Sequence, residues 1–378
     1  MGSEVLLYGY GLVCISMLVF NGLYSLHLRS EERRLNRKVA RIDHLVSLQL
    51  QLLSRGQPLD QRHLRRLGKK LARVNNLLAF DHFLEQQDSS GEIFQSYLKY
   101  LQPVFLHLAA VYRRREDTQA AYFCHFLSRH QLQRHMQMDQ IQQVVASYLE
   151  RDGLYCRVNA LKALCAFGSP DTVAGALLIR ERRQGAILHE KVITETLLSY
   201  TGDARRLIAL LWARFDQYPL PIQRGILDYI RFKSGDYCPQ MLEILQNDRR
   251  DKELRLAAIR YFGRYPYPPA RGLLLTFVSD QEPAHWEFAA ISASALVRYP
   301  GQEVTDALSQ AMHSSNWYVR YNAAASLEAS GLSYEELFGV VAGSDRYARE
   351  MLTYRLEERQ RRQKRPGSLK GEEVPAAT

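Results

Sequence analysis

The sequence lacks the short motifs that mark most enzymes and metal proteins. Its 378 residues contain no Walker P-loop, no GxGxxG, no GxSxG, no HExxH and no EF-hand pattern. The cysteines are odd in number, none forms a CxxC pair, and they are scattered: Cys14, Cys124, Cys156, Cys165 and Cys238. A disulfide framework and a zinc site are therefore not expected. We predict no catalytic residue, no metal, no cofactor and no small-molecule ligand, in a protein that is not an enzyme.

Proline, glycine and runs of β-branched residues are also scarce. There are 13 Pro and 22 Gly, too few for a low-complexity chain, while the hydrophobic fraction of 46% and the charged fraction of 24% fit a folded protein. Long stretches rich in Leu, Ala, Gln, Arg and Glu favour helix over strand. The sequence therefore predicts an all-α fold.

The positive charge is concentrated in one short region. The net charge is +10, and residues 29–73 alone carry 13 Lys and Arg against 4 Asp and Glu. The rest of the chain is close to neutral, which makes nucleic acid an unexpected partner.

One uncharged segment is long enough to cross a membrane. Residues 5–28 contain no Asp, Glu, Lys or Arg, and 24 residues at about 1.5 Å each span the roughly 30 Å hydrocarbon core. A buried core helix is one alternative. A cleaved signal peptide is another, but the basic n-region and an Ala-x-Ala site are missing. We predict that residues 1–28 are a single transmembrane anchor.

The charges that flank this segment predict its orientation. Six basic residues follow it and none precedes it: Arg29, Arg33, Arg34, Arg37, Lys38 and Arg41. The positive-inside rule then places the N-terminus outside the cell membrane and the remainder in the cytoplasm. We expect the same six side chains to contact anionic lipid headgroups.

Further helices precede the regular part of the chain. Residues 29–78 are predicted to form basic juxtamembrane helices, broken at 56–58, with a second amphipathic helix over 62–78. This pair is expected on the membrane, against a partner, or as the first layer of the folded domain. Residues 79–153, with helices over 93–111, 118–129 and 138–150, are interpreted as a helical cap or degenerate repeats.

Residues 154–345 repeat with a period near 33. A buried apolar position recurs at Leu164, Leu198, Ile230, Phe262, Leu296 and Leu327. Small residues precede this position by four, and turn-forming residues follow it by four. Each unit is predicted to be a helix pair that buries its apolar stripe only by stacking on its neighbours. A basic helix over 346–365 and a disordered tail over 366–378 complete the prediction.

The most regular unit resembles a known family. Residues 316–327, Asn-Trp-Tyr-Val-Arg-Tyr-Asn-Ala-Ala-Ala-Ser-Leu, are similar to the second-helix signature of HEAT repeats, as are residues 156–164. The period is shorter than the usual 40–47 and is similar to that of the short, PBS-lyase-type repeats of bacterial proteins. The resemblance implies an α-α superhelix of armadillo type. It also implies that Arg157, Arg255 and Arg320 bond to neighbouring loops as part of the scaffold.

The repeat register also yields candidate binding residues. In HEAT-like stacks the positions just before and after the buried column project into a concave groove. Here those positions hold mainly basic and aromatic residues: Lys162, Tyr200, Arg231, Phe232, Arg260, Arg264 and Arg298. Arginine and aromatic residues are typical of interaction hot spots. An ordinary solvated face is the alternative.

The resemblance implies a binding scaffold tethered to a membrane. Membrane-anchored bacterial HEAT-like proteins suggest a membrane-associated protein partner, for example a polysaccharide-synthesising glycosyltransferase to which this chain is an accessory subunit. Two alternatives remain open at this point. One is a HEAT-like lyase that acts on a tetrapyrrole chromophore, and the other is a nucleic-acid-binding HEAT-like protein.

Overall fold

The computed structural model describes residues 2–87, 91–130, 132–178, 188–280 and 282–363. These residues are predominantly helical and include no strand, which confirms the all-α prediction. The predicted tail 366–378 and the last two residues of the predicted helix 346–365 lie outside the described residues. The chain divides into two compact units, Met1–Tyr218 and Pro219–Thr378.

The first unit contains eleven α-helices within its described residues. They are α1 (Gly2–Ser54), α2 (Gln61–Leu71), α3 (Val74–Gln86), α4 (Glu92–Tyr100), α5 (Gln102–Tyr112), α6 (Asp117–Arg129), α7 (Asp139–Ala146), α8 (Leu154–Phe167), α9 (Pro170–Ala176), α10 (Glu190–Leu198) and α11 (Ala204–Ala213). Helices α1, α3, α6, α8 and α10 pack in succession as one row. Helices α2, α5, α7, α9 and α11 form a second row, and α4 packs on α1 and α5.

The second unit continues this pattern with nine α-helices among its described residues. They are α12 (Leu220–Lys233), α13 (Cys238–Gln246), α14 (Lys252–Arg264), α15 (Arg271–Ser279), α16 (Trp286–Ala295), α17 (Gln302–Ala311), α18 (Trp317–Ala329), α19 (Phe338–Val341) and α20 (Arg346–Gln363). Helices α12, α14, α16, α18 and α20 pack in succession and form the first row of this unit. Helices α13, α15, α17 and α19 each pack on the first-row helix that follows them.

Helix α1 combines an exposed apolar half with a packed half. It is continuous over 53 residues, or about 80 Å. The large apolar side chains from Tyr8 to Leu28 are exposed, and the first buried residue is Val39, followed by Ile42 and Val46. The spacing of these three is that of one helical face, and this face packs on α3 and α4. Among the described residues, α1 is the one helix that is long and apolar enough, by length and composition, to cross a membrane.

The first basic helix after α1 is part of the folded unit. The predicted helix over 62–78 is wrong in its extent, because the chain turns at Ala72 and Arg73 and separates α2 from α3. The apolar side of α2, including Leu64, Leu67 and Leu71, is buried against α3 and α5. Of the three placements expected for this segment, the structure shows the first layer of the domain.

A second long helix prediction is also wrong in its extent. The segment 93–111 is interrupted at Leu101, where α4 ends, and Pro103 lies in the first turn of α5. Proline is tolerated there because the amide groups of a first turn have no partner within the helix. At the other end of the chain, α19 forms only over Phe338–Val341, shorter than the predicted 334–341.

The repeat register holds in five of the six predicted units. Leu164, Ile230, Phe262, Leu296 and Leu327 are buried, but Leu198 is only half-buried. The fully buried residue of that unit is Leu197, which lies 33 residues from both Leu164 and Ile230. The predicted register was therefore one residue late in this unit.

Helix α20 extends the repeat beyond the predicted boundary. Its Arg349, Leu352 and Leu356 have the spacing of Arg320, Ala323 and Leu327 in α18, and both leucines are fully buried. The Arg349 Nη1 donates to the Gly343 carbonyl at 3.0 Å, as Arg320 Nη1 does to the Ser314 carbonyl at 2.9 Å. The basic composition of this helix concealed a further repeat.

Two buried tyrosines of the first unit bond to the main chain of earlier helices. Hydroxyl groups donate to main-chain carbonyls about forty residues upstream, from Tyr112 to Leu71 at 2.9 Å and from Tyr148 to Ala109 at 2.6 Å. A buried hydroxyl without a partner costs free energy, so each of these bonds favours one register of stacking. They explain how a tyrosine-rich chain satisfies polar groups inside a helical stack.

Candidate functional site

Four of the predicted groove residues come together at the ends of two neighbouring helices of the second unit. Arg231 and Phe232 lie in the last turn of α12, and Arg260 and Arg264 lie one helical turn apart on α14. Helices α12 and α14 pack directly on each other, so residues at equivalent repeat positions become neighbours. We call these four residues the Arg/Phe cluster.

An exposed aromatic ring lies at the centre of this cluster. The Arg231 guanidinium carbon is 4.7 Å from the centroid of the Phe232 ring, and that of Arg264 is 5.5 Å from it. Phe232 nevertheless remains 41% exposed. Cation–π attraction to the same ring holds both guanidinium groups close to it.

The positive charge of the cluster is only partly balanced. Arg231 forms an ion pair with Asp228 at 3.0 Å. Within the described residues no carboxylate lies within 4.0 Å of Arg260 or Arg264. The pKa of Arg231 is lowered, first by burial and then by the charges of Arg260 and Arg264, while Asp228 acts in the opposite direction. Three guanidinium groups that repel one another, of which one is paired with a carboxylate, form a site with a surplus of positive charge.

The hydrogen-bonding capacity of the cluster is also unfilled. The Nε atom of Arg231 is buried and has no acceptor among the described residues. Guanidinium groups bind carboxylates and phosphates through paired N–H donors. The arrangement can therefore bind an anionic group with an apolar portion beside Phe232.

The other three predicted groove residues lie elsewhere. Lys162 is exposed on α8 in the first unit, and Arg298 is exposed in the short 3-10 turn that follows α16. Tyr200 is buried, and burial raises its pKa to about 12. The expectation that Tyr200 projects into a groove is wrong, because the true buried position is Leu197 and Tyr200, three residues on, lies on the same inward face.

The recurrent arginines of the repeats act as scaffold in the second unit. Arg255 Nε donates to the Leu245 carbonyl at 3.1 Å, its Nη2 pairs with Asp248 at 2.6 Å, and its guanidinium lies 5.0 Å from the Phe288 ring. Arg320 bonds to the preceding turn in the same way. These contacts agree with the structural role that the HEAT resemblance implies.

A second charged cluster, in the first unit, escaped sequence analysis. The buried carboxylate of Asp81 on α3 accepts from Tyr122 Oη at 2.6 Å and from His130 Nε2 at 2.5 Å. Arg129 Nη1 lies 3.8 Å from the same carboxylate and also pairs with Glu85. The hydrogen bonds and charges from these partners outweigh burial and lower the pKa of Asp81.

The adjacent residues Cys124 and His125 do not form a nucleophile and its base. Burial raises the pKa of Cys124 well above its ordinary value, so its thiol is not an activated nucleophile. Neighbouring His125 is exposed and faces away from it. In the described part of the chain no three His, Cys, Asp or Glu residues are grouped to hold a metal ion.

The six basic residues that follow the apolar part of α1 lie on one uninterrupted helix. Arg29, Arg33, Arg34, Arg37 and Arg41 are exposed, and Lys38 is half-buried. Arg34 pairs with Glu31 at 2.9 Å, and Arg37 Nε donates to the Arg33 carbonyl at 3.2 Å. Arg29, Arg33, Arg34, Arg37 and Lys38 lie between the apolar half of α1 and its first buried residue, Val39, and Arg41 follows that residue.

Comparison with known proteins identifies the repeats. Residues 238–328 match the family model described as HEAT repeats. None of the curated proteins matches the sequence at a significant level. One solved structure, human deoxyhypusine hydroxylase in complex with glycerol, aligns with 79% of this chain and 96% of its own at 15% identity. Its TM-score is 0.28, too low to support an argument about shape or activity. The match shows HEAT repeats over residues 238–328 of this chain.

Proposed function

We propose that this protein is a non-enzymatic binding scaffold, held at a membrane by α1, that docks an acidic segment of a membrane-associated protein on the Arg/Phe cluster. The single observation that carries the proposal is the surplus of guanidinium groups around one exposed ring. Repeat stacks commonly serve as rigid extended binding surfaces. A membrane enzyme, such as a polysaccharide-synthesising glycosyltransferase, is the partner class that the sequence resemblance suggests.

The exposed apolar side chains of α1 support the membrane part of the proposal. A soluble helix with every large apolar side chain from Tyr8 to Leu28 exposed would be costly in water, whereas a lipid bilayer removes that cost. The exposed basic residues that follow would then lie at the level of the headgroups. On this basis we propose that the N-terminus lies outside and that the chain from residue 29 onwards lies in the cytoplasm.

The size of the cluster favours a protein partner over nucleic acid. Tight binding to DNA uses about 6–10 phosphate contacts, and the cluster offers three arginines, one of which already pairs with Asp228. The nearly neutral charge of the chain after residue 73 adds little to this. A short acidic segment with one apolar side chain for Phe232 fits the site better.

Charge reversal tests the docking site. The full chain in detergent is titrated with a fluorescent peptide of alternating Glu and Leu, with the Lys-and-Leu version, and with single-stranded DNA. We expect only the acidic peptide to bind, and Arg260→Glu with Arg264→Glu to weaken it at least tenfold. Equal binding by the double variant would refute the docking site, and strongly salt-dependent DNA binding would favour a nucleic-acid function.

Extraction of membranes tests the tether separately. We expect the full chain to resist alkaline carbonate and a version lacking residues 2–28 to be released into the supernatant. A protease added to intact cells should remove an N-terminal tag and leave the repeats whole. Release of the full chain by carbonate would contradict the tether without affecting the docking site.

A further inference from the structure

A row of aromatic rings, half-buried at Trp286 and exposed on the next two helices, crosses α16, α18 and α20 of the second unit. Trp286 begins α16, Trp317 and Tyr318 begin α18, and Tyr347 lies in the first turn of α20. Trp317, Tyr318 and Tyr347 are 49%, 56% and 68% exposed. With Tyr321, one turn further along α18, we call these five residues the aromatic edge.

The rings of the aromatic edge hold one another in fixed positions. Trp286 stacks on Tyr318 with centroids 5.3 Å apart, and Trp317 stacks on Tyr321 at 4.8 Å. The Arg355 guanidinium lies 4.3 Å from the Tyr321 ring. Exposed rings that are already ordered lose little conformational entropy when they bind a partner.

The repeat places these rings at a regular interval. Trp286 and Trp317 both lie ten residues before the buried column of their helices, and Tyr318 and Tyr347 both lie nine before it. Packed helices are about 8–10 Å apart, so the main-chain positions that carry equivalent rings recur at about that distance. A polyproline II segment advances about 9 Å per turn of three residues, whereas a strand presents one face about every 6.7 Å. This interval fits a polyproline II ligand in which every third residue presents its side chain to the next helix.

The polar groups at the edge favour the same kind of ligand. The Trp indole N–H and Tyr hydroxyl groups are hydrogen-bond donors, and a polyproline II backbone has carbonyls with no internal partner. The carbonyls of a helical ligand are already bonded within the helix. The polyproline II geometry therefore matches both the spacing and the donors.

The charge at the edge specifies the ligand further. The Arg320 guanidinium lies 5.5 Å from the exposed Tyr347 ring, and among the described residues no carboxylate lies within 4.0 Å of it. Arg355, in contrast, is paired with Glu328 at 3.0 Å. We propose that the aromatic edge binds a proline-rich, acidic, extended segment of a partner protein, with prolines against the rings and a carboxylate near Arg320. This site shares no residue with the Arg/Phe cluster.

A spacing-controlled peptide selection tests the proposal on the full chain in nanodiscs. One displayed library fixes proline at every third position, and its control fixes proline at every fourth, with Glu allowed at the remaining positions in both. We expect enrichment from the first library only, and loss of binding on replacing Glu by Lys. Absence of enrichment, or equal enrichment of the two libraries, would overturn the proposal.

Surface variants then locate the binding site. Trp317→Ala and Tyr347→Ala should each weaken the selected peptide at least tenfold, whereas Tyr155→Ala, which removes a 78% exposed ring from α8, should not change its affinity. Arg264→Glu should also leave it unchanged. Full affinity in both edge variants would overturn the proposal.

The bilayer is the competing occupant of such a surface. Brominated lipids in the nanodisc quench tryptophans that enter the headgroup region, and comparison with Trp317→Phe isolates the signal of Trp317. We expect no quenching of Trp317. Quenching would show that the edge lies on lipid and would also overturn the proposal.

Discussion

The two charged clusters of this protein differ in how completely their charges are satisfied. In the first unit, the Asp81 carboxylate is buried and receives hydrogen bonds from Tyr122 and His130, with Arg129 nearby. In the second unit, the Arg/Phe cluster is partly exposed and has three guanidinium groups with one carboxylate within ion-pair distance. A saturated buried network stabilises a fold, and an unsaturated exposed one is available to a ligand. The contrast favours a structural role for the first cluster and is the basis on which we propose binding for the second.

Removal of the Asp81 carboxylate should have the largest effect, a loss of stability of the first unit. Asp81→Ala leaves His130 and Tyr122 without their buried acceptor, and we expect it to destabilise the first unit by about 3 kcal/mol. The measurement is chemical denaturation followed by circular dichroism, with hydrogen exchange of α3 and α6 to localise the loss. The matched control is Asp139→Ala, which removes an exposed carboxylate from the same unit. Similar losses in both variants would show that the Asp81 network is not a special source of stability.

Charge reversal in the Arg/Phe cluster should come next and should act on binding alone. Arg260→Glu with Arg264→Glu should cost about 2 kcal/mol of affinity for an acidic peptide, because attraction becomes repulsion at close range. Thermal unfolding should be unchanged, since neither arginine has an ion pair within the described residues to lose. The control is Lys162→Glu, an exposed basic residue of the first unit. A large fall in the unfolding temperature would mean that these arginines are structural after all.

Removal of the central ring should have a smaller effect. Phe232→Ala abolishes the cation–π contacts with Arg231 and Arg264, and we expect about 1 kcal/mol less affinity for the acidic peptide. Phe232→Tyr keeps an aromatic ring face and should retain most of the wild-type affinity for this peptide. Isothermal titration of the three proteins at one salt concentration decides between these outcomes. Equal affinities would show that the ring neither positions the cations nor contacts the ligand.

The acid dependence of stability should show the smallest difference. The pKa of Asp81 is lowered below its ordinary value of 3.8 in the folded protein. Its stabilisation is therefore fully present above the unfolded pKa and is lost as the pH falls through the folded pKa. The free energy of unfolding of the wild type should fall more steeply with decreasing pH below about pH 4. The Asp81→Asn variant should lack this additional fall. Parallel slopes for the two proteins would argue against a depressed pKa.

Periodic features of the sequence predicted much of the fold and part of the candidate site. The repeat register placed Phe232 and Arg264 at the same position of adjacent helices, with Arg231 and Arg260 nearby on those helices, and the structure brings the four together. The same reasoning failed at Tyr200, because adjacent leucines made two registers look alike and only burial distinguishes Leu197 from Leu198.

Features that depend on a single contact could not be predicted in this way. Asp81 and His130 are 49 residues apart and lie outside the regular repeats, so no pattern links them. The break between α2 and α3 at Ala72 and Arg73 contains neither proline nor glycine. The break depends on the packing of α2 on α5, and such a tertiary contact cannot be predicted from local sequence preferences.

Site-specific photocrosslinking in intact membranes tests the central claim most directly. A benzophenone amino acid at position 232 would report what lies against the Arg/Phe cluster, with the same group at exposed position 155 as control. We predict crosslinks from position 232 to an acidic segment of one membrane-associated protein, lost when Arg260 and Arg264 are changed to Glu. Crosslinks that survive charge reversal, or that match those from position 155, would contradict the assignment of this cluster as the docking site.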